Sequence, residues 1–160
     1  MMLPASTEHQ FIAHRRKSDG AQQPLLDHLI GTAEIAQQHA SKIGLPLCGQ
    51  LLGLVHDLGK YSAEFQSYIK SATGLLNPDI DDEYVDSKHL KGKIDHSTAG
   101  GQWLFQALKN CNYPIKNSSN TRENGDLLAK LLAICVVSHH SGLIDVVDLD
   151  NTQVFQTRLD

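Results

Sequence analysis

Cysteine is scarce in this chain and wrongly spaced for a cross-linked fold. Cys48, Cys111 and Cys135 are odd in number and far apart, which excludes a CxxC zinc knuckle and a disulfide framework. They are expected to be reduced thiols, with Cys48 and Cys135 in the core. Long apolar runs are missing as well. No N-terminal h-region and no run of transmembrane length occurs, so the default expectation is a soluble cytoplasmic protein with no membrane partner. Positive charge is not in excess: 14 Lys and Arg face 18 Asp and Glu, for a net charge of -4 with histidine neutral. That removes the general electrostatic footprint of a nucleic-acid-binding protein, so any phosphate binding must be local or metal-mediated. There is no GxxxxGK[ST] phosphate loop, no internal repeat and no low-complexity segment.

What is abundant is histidine, nine in 160 residues. The length suits one domain, 1–160, with a real core, and the 41% hydrophobic content is ordinary for a globular protein. Residues 1–23 read as an irregular segment holding the most basic run, His14-Arg15-Arg16-Lys17. Charge alone favours a solvated loop there over a phosphate-steering patch. Pro24 fits a first helical position. Leu25, Leu26, Leu29, Ile30, Ala33, Ala36 and Ala40 recur at helical steps up to Ile43, and Gly44 is a plausible stop. Pro46 opens a second helix through Leu47, Cys48, Leu51, Leu52, Leu54 and Val55, apolar on most sides and therefore central. It ends at His56-Asp57, with Gly59 breaking the element. Ser62 can cap a third helix with Phe65, Tyr68 and Ile69 as its buried stripe. Residues 74–94, with Asn77-Pro78 and a run of acidic residues, read as a long loop. Asp95 can cap a fourth helix through Trp103, Leu104, Phe105 and Leu108, with His96 in its first turn and Gly100-Gly101 small enough for close approach. A polar loop over 110–125 precedes a fifth, buried helix from Leu127 to Val137. No clear final helix follows.

The chemistry lies at the helix ends. His56-Asp57 closes one apolar helix and Ser138-His139-His140-Ser141-Gly142 follows another. Imidazole and carboxylate are first-row metal ligands, and a carboxylate can bridge two ions. Each alone has a plain packing or capping explanation. Burying two adjacent imidazoles costs free energy unless their nitrogens are bonded, and a helix C-terminus accounts for one histidine better than two. Together, five imidazoles (His28, His56, His96, His139, His140) and Asp57 could converge in the core of a helical bundle.

Leu26-Asp27-His28-Leu29, Val55-His56-Asp57-Leu58-Gly59-Lys60, Asp95-His96-Ser97 and Ser138-His139-His140-Ser141-Gly142 resemble, in that order, the HD superfamily. More narrowly, they resemble the HD nuclease domain of the CRISPR type I interference nuclease–helicase. Ala13-His14-Arg15-Arg16 and Gln23-Pro24-Leu25 are similar to that family's opening. The resemblance implies an all-α HD-type helical bundle with a metal centre in its core, and cleavage of single-stranded DNA in antiviral defence. By it, His28, His56 and Asp57 belong to one metal, and Asp57, His96, His139 and His140 to the other. Asp57 and Lys60 carry the catalytic roles, Lys60 in contact with phosphate. The family takes a further Asp from a helix well downstream. Asp145 and Asp148 follow the His-His pair too closely and Asp160 is terminal, so the chain reads as truncated at its C-terminus or as a short variant.

Imidazole-rich ligation suits one or two divalent ions of Fe, Mn, Co or Ni better than Mg. The acidic chain would receive its single-stranded DNA from a CRISPR RNA-guided surveillance complex and a helicase domain or subunit. Two other classes share the motif: an HD phosphohydrolase acting on nucleotides or cyclic nucleotides, and a degenerate, non-catalytic HD module.

Overall fold

The computed structural model describes residues 11–111, 121–140, 142 and 154–159. Asp145, Asp148, Asp150, Asp160 and Ser141 lie outside the described residues. The chain divides into two compact units, Met1–His28 with Lys60–Ile94, and Leu29–Gly59 with Asp95–Asp160.

The first unit begins with an antiparallel pair, β1 (Ile12–Arg15) and β2 (Gln22–Pro24), where an irregular segment was expected. Its register pairs His14 with Gln23 and Arg15 with Gln22, with an irregularity between Ile12 and His14. That bulge explains why the strand was not legible. It turns the consecutive residues Ile12 and Ala13 both inward, so the period-two alternation of a half-buried strand is lost. Pro24 ends β2 rather than opening a helix, and it gives up no bond the pair requires. The basic run is only in part the expected solvated loop: Arg16 and Lys17 are exposed in the connecting turn, while His14 and Arg15 belong to β1. Arg15 donates from Nε to the Gly20 carbonyl at 3.2 Å and from Nη1 to the Thr73 carbonyl. Thr73 caps α3 (Ala63–Ala72), so a cation sits at a helix C-terminus, where the dipole favours it.

Ser62 caps α3 as expected, its hydroxyl accepting from the Phe65 amide at 3.2 Å. Phe65 and Ile69 pack with Ile12 into the core of this unit, flanked by Tyr68 and Ile94. The expected 74–94 loop is mostly turns, interrupted by the short α4 (Ser87–Leu90).

α1 (Leu25–Ser41) begins in the first unit and continues in the second, and α2 (Pro46–Val55) follows. α2 is not apolar-packed on most sides: Leu47 is 73% exposed, and the buried side carries Gly49, Gly53 and Val55. A Cβ on Gly53 would lie 2.4 Å from Ala33 Cα, and one on Gly49 2.4 Å from the Ala36 carbonyl oxygen. The two helices therefore meet backbone to backbone, which no side chain at those positions would allow.

α5 (Thr98–Leu108) and α6 (Thr121–Val137) pack together with the short α7 (Val154–Leu159). Val55, Leu104, Leu132 and Val136 form one core. Phe105, Ala129, Ala133, Val137, Phe155 and Leu159 form the other.

Three expectations change here. α6 starts at Thr121 rather than Leu127, because its opening residues are polar and carry no apolar periodicity, with Asp126 paired to Lys130 at 2.8 Å. It buries one face only; Leu127, Leu131 and Cys135 are exposed, so Cys135 is not the core residue expected, while Cys48 is half-buried and packs against the core that Val55, Leu104, Leu132 and Val136 form. α7 exists although no periodic run announces it, since its Phe155 and Leu159 are held by tertiary packing alone. Among the described residues no helix is long and apolar enough to cross a membrane.

Candidate metal centre

His56 is the C-cap residue of α2, and Asp57 follows it. His139 and His140 leave the end of α6, and His96 sits two residues before α5 rather than in its first turn. Three glycine contacts set the spacing of these ends. A Cβ on Gly100 would lie 2.0 Å from the Val55 carbonyl oxygen, and one on Gly101 2.4 Å from Val137 Cγ1. Gly59 donates to the His96 carbonyl at 3.1 Å, and a Cβ there would come within 2.5 Å of His96 Cα. Gly59 thus does more than end an element; it lets the His96 backbone lie against the chain just after Asp57. On the other side of His96, Asp95 accepts from the Ser97 and Thr98 amides at 3.0 Å each. Partial burial pushes the Asp95 carboxyl up, but side-chain and backbone hydrogen bonds from Thr98 and Ser97 together outweigh it and hold the group at about 2.

Within this second unit five predicted residues converge. Asp57 is buried. Its Oδ1 lies 3.4 Å from His139 Nε2, 3.7 Å from His96 Nε2 and 3.9 Å from His140 Nε2, and its Oδ2 lies 3.1 Å from His56 Nε2. His96 Nε2 and His140 Nε2 are 2.7 Å apart.

Backbone carbonyls orient two of the rings. His139 Nδ1 is 2.6 Å from the Val136 carbonyl and His56 Nδ1 is 2.8 Å from the Gly53 carbonyl. A carbonyl only accepts, so both Nδ1 atoms donate. Nε2 of each ring faces an Asp57 oxygen, an arrangement that a proton or a metal ion shared between imidazole and carboxylate stabilises. Orienting a ligating imidazole through its other nitrogen is the usual arrangement around a bound metal.

The ligand atoms of Asp57, His96, His139 and His140 all lie within 4.8 Å of one another. An ion with ligands at about 2.1 Å spans about 4.2 Å between opposite donors, so small side-chain shifts close the cluster around one. The donor set fits a metal ion. The His140 side chain is 56% exposed, so the cluster reaches the surface there.

The other two predicted residues belong to the first unit. His28 lies on α1, its ring edge-on to that of His14 with centroids 4.8 Å apart. Lys60 is buried, in a 3-10 turn over Leu58–Tyr61. Its ammonium is 3.4 Å from His14 Nε2 and 3.5 Å from the Ala13 carbonyl, and lies over the Phe65 ring at 5.5 Å. Buried Gln66 fixes the turn: its amide nitrogen donates to the Lys60 carbonyl at 2.7 Å and to Ile12 O at 3.1 Å, while its oxygen accepts from Ile12 N at 3.0 Å. The sequence reading singled out neither His14 nor Gln66 as site residues. The available signal was a lone glutamine in the apolar stripe of α3.

A helical fold that gathers a His-Asp doublet and histidines from other helix ends into one cluster defines the HD class of metal-dependent hydrolases. The family model described as "Cas3, HD domain" matches residues 13–158, and the chain belongs to that family. Membership places a metal-dependent HD hydrolase in the setting of CRISPR interference, with nucleic acid as its substrate class. Comparisons with curated proteins and with solved structures gave no match.

Proposed function

We propose that this protein is a metal-dependent HD nuclease that cleaves single-stranded DNA in CRISPR type I interference. The observation that carries the proposal is the convergence on Asp57 of His56 and His139, each with its Nε2 lone pair directed by a backbone carbonyl on the other nitrogen. His56, Asp57, His96, His139 and His140 are the proposed ligands. His28 joins them on its motif, Asp27-His28-Leu29. Bound there, one or two divalent ions, Fe, Mn, Co or Ni rather than Mg, supply Lewis acidity toward the phosphodiester and an activated water.

The chain's own groups do the rest. Asp57 holds the ligand cluster together through both of its oxygens. The backbone carbonyls of Gly53 and Val136 keep His56 and His139 in the binding tautomer. Lys60 offsets charge on the phosphate oxygens as it builds. With a net charge of -4, the protein relies on an RNA-guided surveillance complex and a helicase, acting in the cytoplasm, to deliver a displaced strand.

The test is cleavage of a single-stranded oligonucleotide with Mn, Co, Ni, Fe or Mg, beside His56→Ala and Asp57→Ala. Transition-metal-dependent cutting that both variants abolish is the expected result. Turnover of mononucleotides or cyclic nucleotides in preference to the strand would replace the proposal with a small-molecule phosphohydrolase. Bound metal without turnover of any substrate would mark a non-catalytic module.

A further inference from the structure

Beside the β1–β2 hairpin lies an open pocket of about 670 Å³, whose lining includes His14, Arg15, Arg16, Gln22, Gln23 and Asp27. We propose that this pocket binds a phosphodiester of the single strand next to the one that is cut; the proposal rests on the nuclease reading above.

Charge comes first. Two guanidiniums and one carboxylate leave the lining net positive in a chain whose overall charge is -4. Arg15 is anchored by the Gly20 and Thr73 carbonyls. Those acceptors are neutral, so they hold the guanidinium in place without cancelling its charge. Arg16 meets Asp19 at 3.4 Å, with both side chains more than half exposed. Such a surface pair is worth little and yields readily to a phosphate, which a guanidinium grips bidentately.

Size and position come next. The volume lies in the range of pockets for nucleotide-sized ligands and far exceeds a lone ion. The amides of Gln22 and Gln23 offer donors and acceptors to sugar or base. His14 belongs to this lining and also lies 3.4 Å from the Lys60 ammonium. The pocket therefore adjoins the cation assigned to the scissile phosphate, with one imidazole between. A ligand continuous with that phosphate, a strand rather than a separate small anion, fits this adjacency.

The test measures binding apart from cleavage. A fluorescein-labelled single-stranded oligonucleotide is titrated with the full chain in EDTA, by anisotropy, at several salt concentrations. Arg16 is exposed, so Arg16→Ala and Arg16→Glu leave the fold intact. The expected result is about 3- to 10-fold weaker binding for Arg16→Ala and a salt slope lower by about 0.7, one single-strand phosphate contact. Lys42→Glu, the same charge reversal on an exposed helix end, should change affinity less than about twofold.

Unchanged affinity in both Arg16 variants, an equal loss in Lys42→Glu, or no binding by the wild-type chain at low salt would each overturn the subsite. So would displacement of the strand by deoxyadenosine monophosphate at equal concentration, which would make this a free-nucleotide site. Arg16-dependent strand binding without metal-dependent cutting would leave the subsite standing and remove the nuclease reading alone.

Discussion

His96 Nε2 and His140 Nε2 lie 2.7 Å apart, although one residue precedes α5 and the other follows α6. At this distance one ring N–H donates to the other ring's nitrogen. A metal ion that took both nitrogens as ligands, at about 2.1 Å each, would replace that hydrogen bond and draw the two rings slightly apart.

Metal should stabilise the fold. At a free concentration about 100 times Kd, a bound ion adds about 2.7 kcal/mol, which for a chain of this size raises Tm by about 5–10 °C. His140→Ala should lose most of that rise, and elemental analysis should show it with less bound metal. An equal Tm rise in wild type and His140→Ala would mean the ion binds elsewhere.

Gly100→Ala should damage both stability and metal binding. Its Cβ would meet the Val55 carbonyl oxygen at 2.0 Å, forcing α5 off the end of α2 and His96 away from Asp57. Overpacking of this kind costs about 1–3 kcal/mol or more. Urea denaturation and metal content are the measurements, and Gly31→Ala, where nothing lies within 4 Å of the added carbon, is the control.

Asp95 makes the fold sensitive to acid. Its carboxyl stands at about 2 in the folded chain against an ordinary 3.8. Between those values the unfolded chain binds the extra proton. The contribution is therefore complete above about pH 4 and is lost as pH falls toward 2. Asp95→Ala should flatten the corresponding part of the stability curve in chelator. Near neutral pH it should also cost about 1 kcal/mol, for the hydrogen bonds its carboxylate accepts from Ser97 and Thr98. Urea titrations from pH 5 down to pH 2 test both.

Lys60→Ala should separate chemistry from metal loading. Removing one charge-stabilising donor costs about 10²–10³ in kcat, while bound metal stays at the wild-type level. His14→Ala should slow cleavage in the same direction by less, because it frees the ammonium without deleting it. The double variant should fall no further than Lys60→Ala, since the two side chains share one contact. Additive losses would assign His14 a separate role.

The helices with long periodic stretches were legible: α1, α3, α5 and the apolar half of α6 lie close to where spacing put them, though Ser97 rather than the expected Asp95 is the N-cap residue of α5. Strand β1 was not, since its bulge buries Ile12 and Ala13 in succession and erases alternation. α7 was not either, because its six residues carry only Phe155 and Leu159 as inward positions. α2 misled in another way. Its leucines suggested burial on most sides, yet the tight contact with α1 is made by Gly49 and Gly53, and Leu47 faces solvent. Apolar count marks which helix is packed, while glycine marks where backbones touch. At the site, His56, Asp57, His96, His139 and His140 were readable only as a set, since each alone has a plain packing or capping explanation. The directing carbonyls of Gly53 and Val136 were not, because every residue has one.

The kinds of group in the centre, their order along the chain and the family they signal were set by residue identity. Imidazoles and a carboxylate at the ends of apolar helices have few inexpensive explanations. Tertiary packing decided which nitrogen faces Asp57, that His14 meets the Lys60 ammonium, and that Arg15 ties a hairpin to a helix end. Those outcomes depend on backbone atoms brought together across tens of residues, and on glycines whose missing Cβ lets helices close. Local sequence carries no record of contacts made by atoms that all residues share.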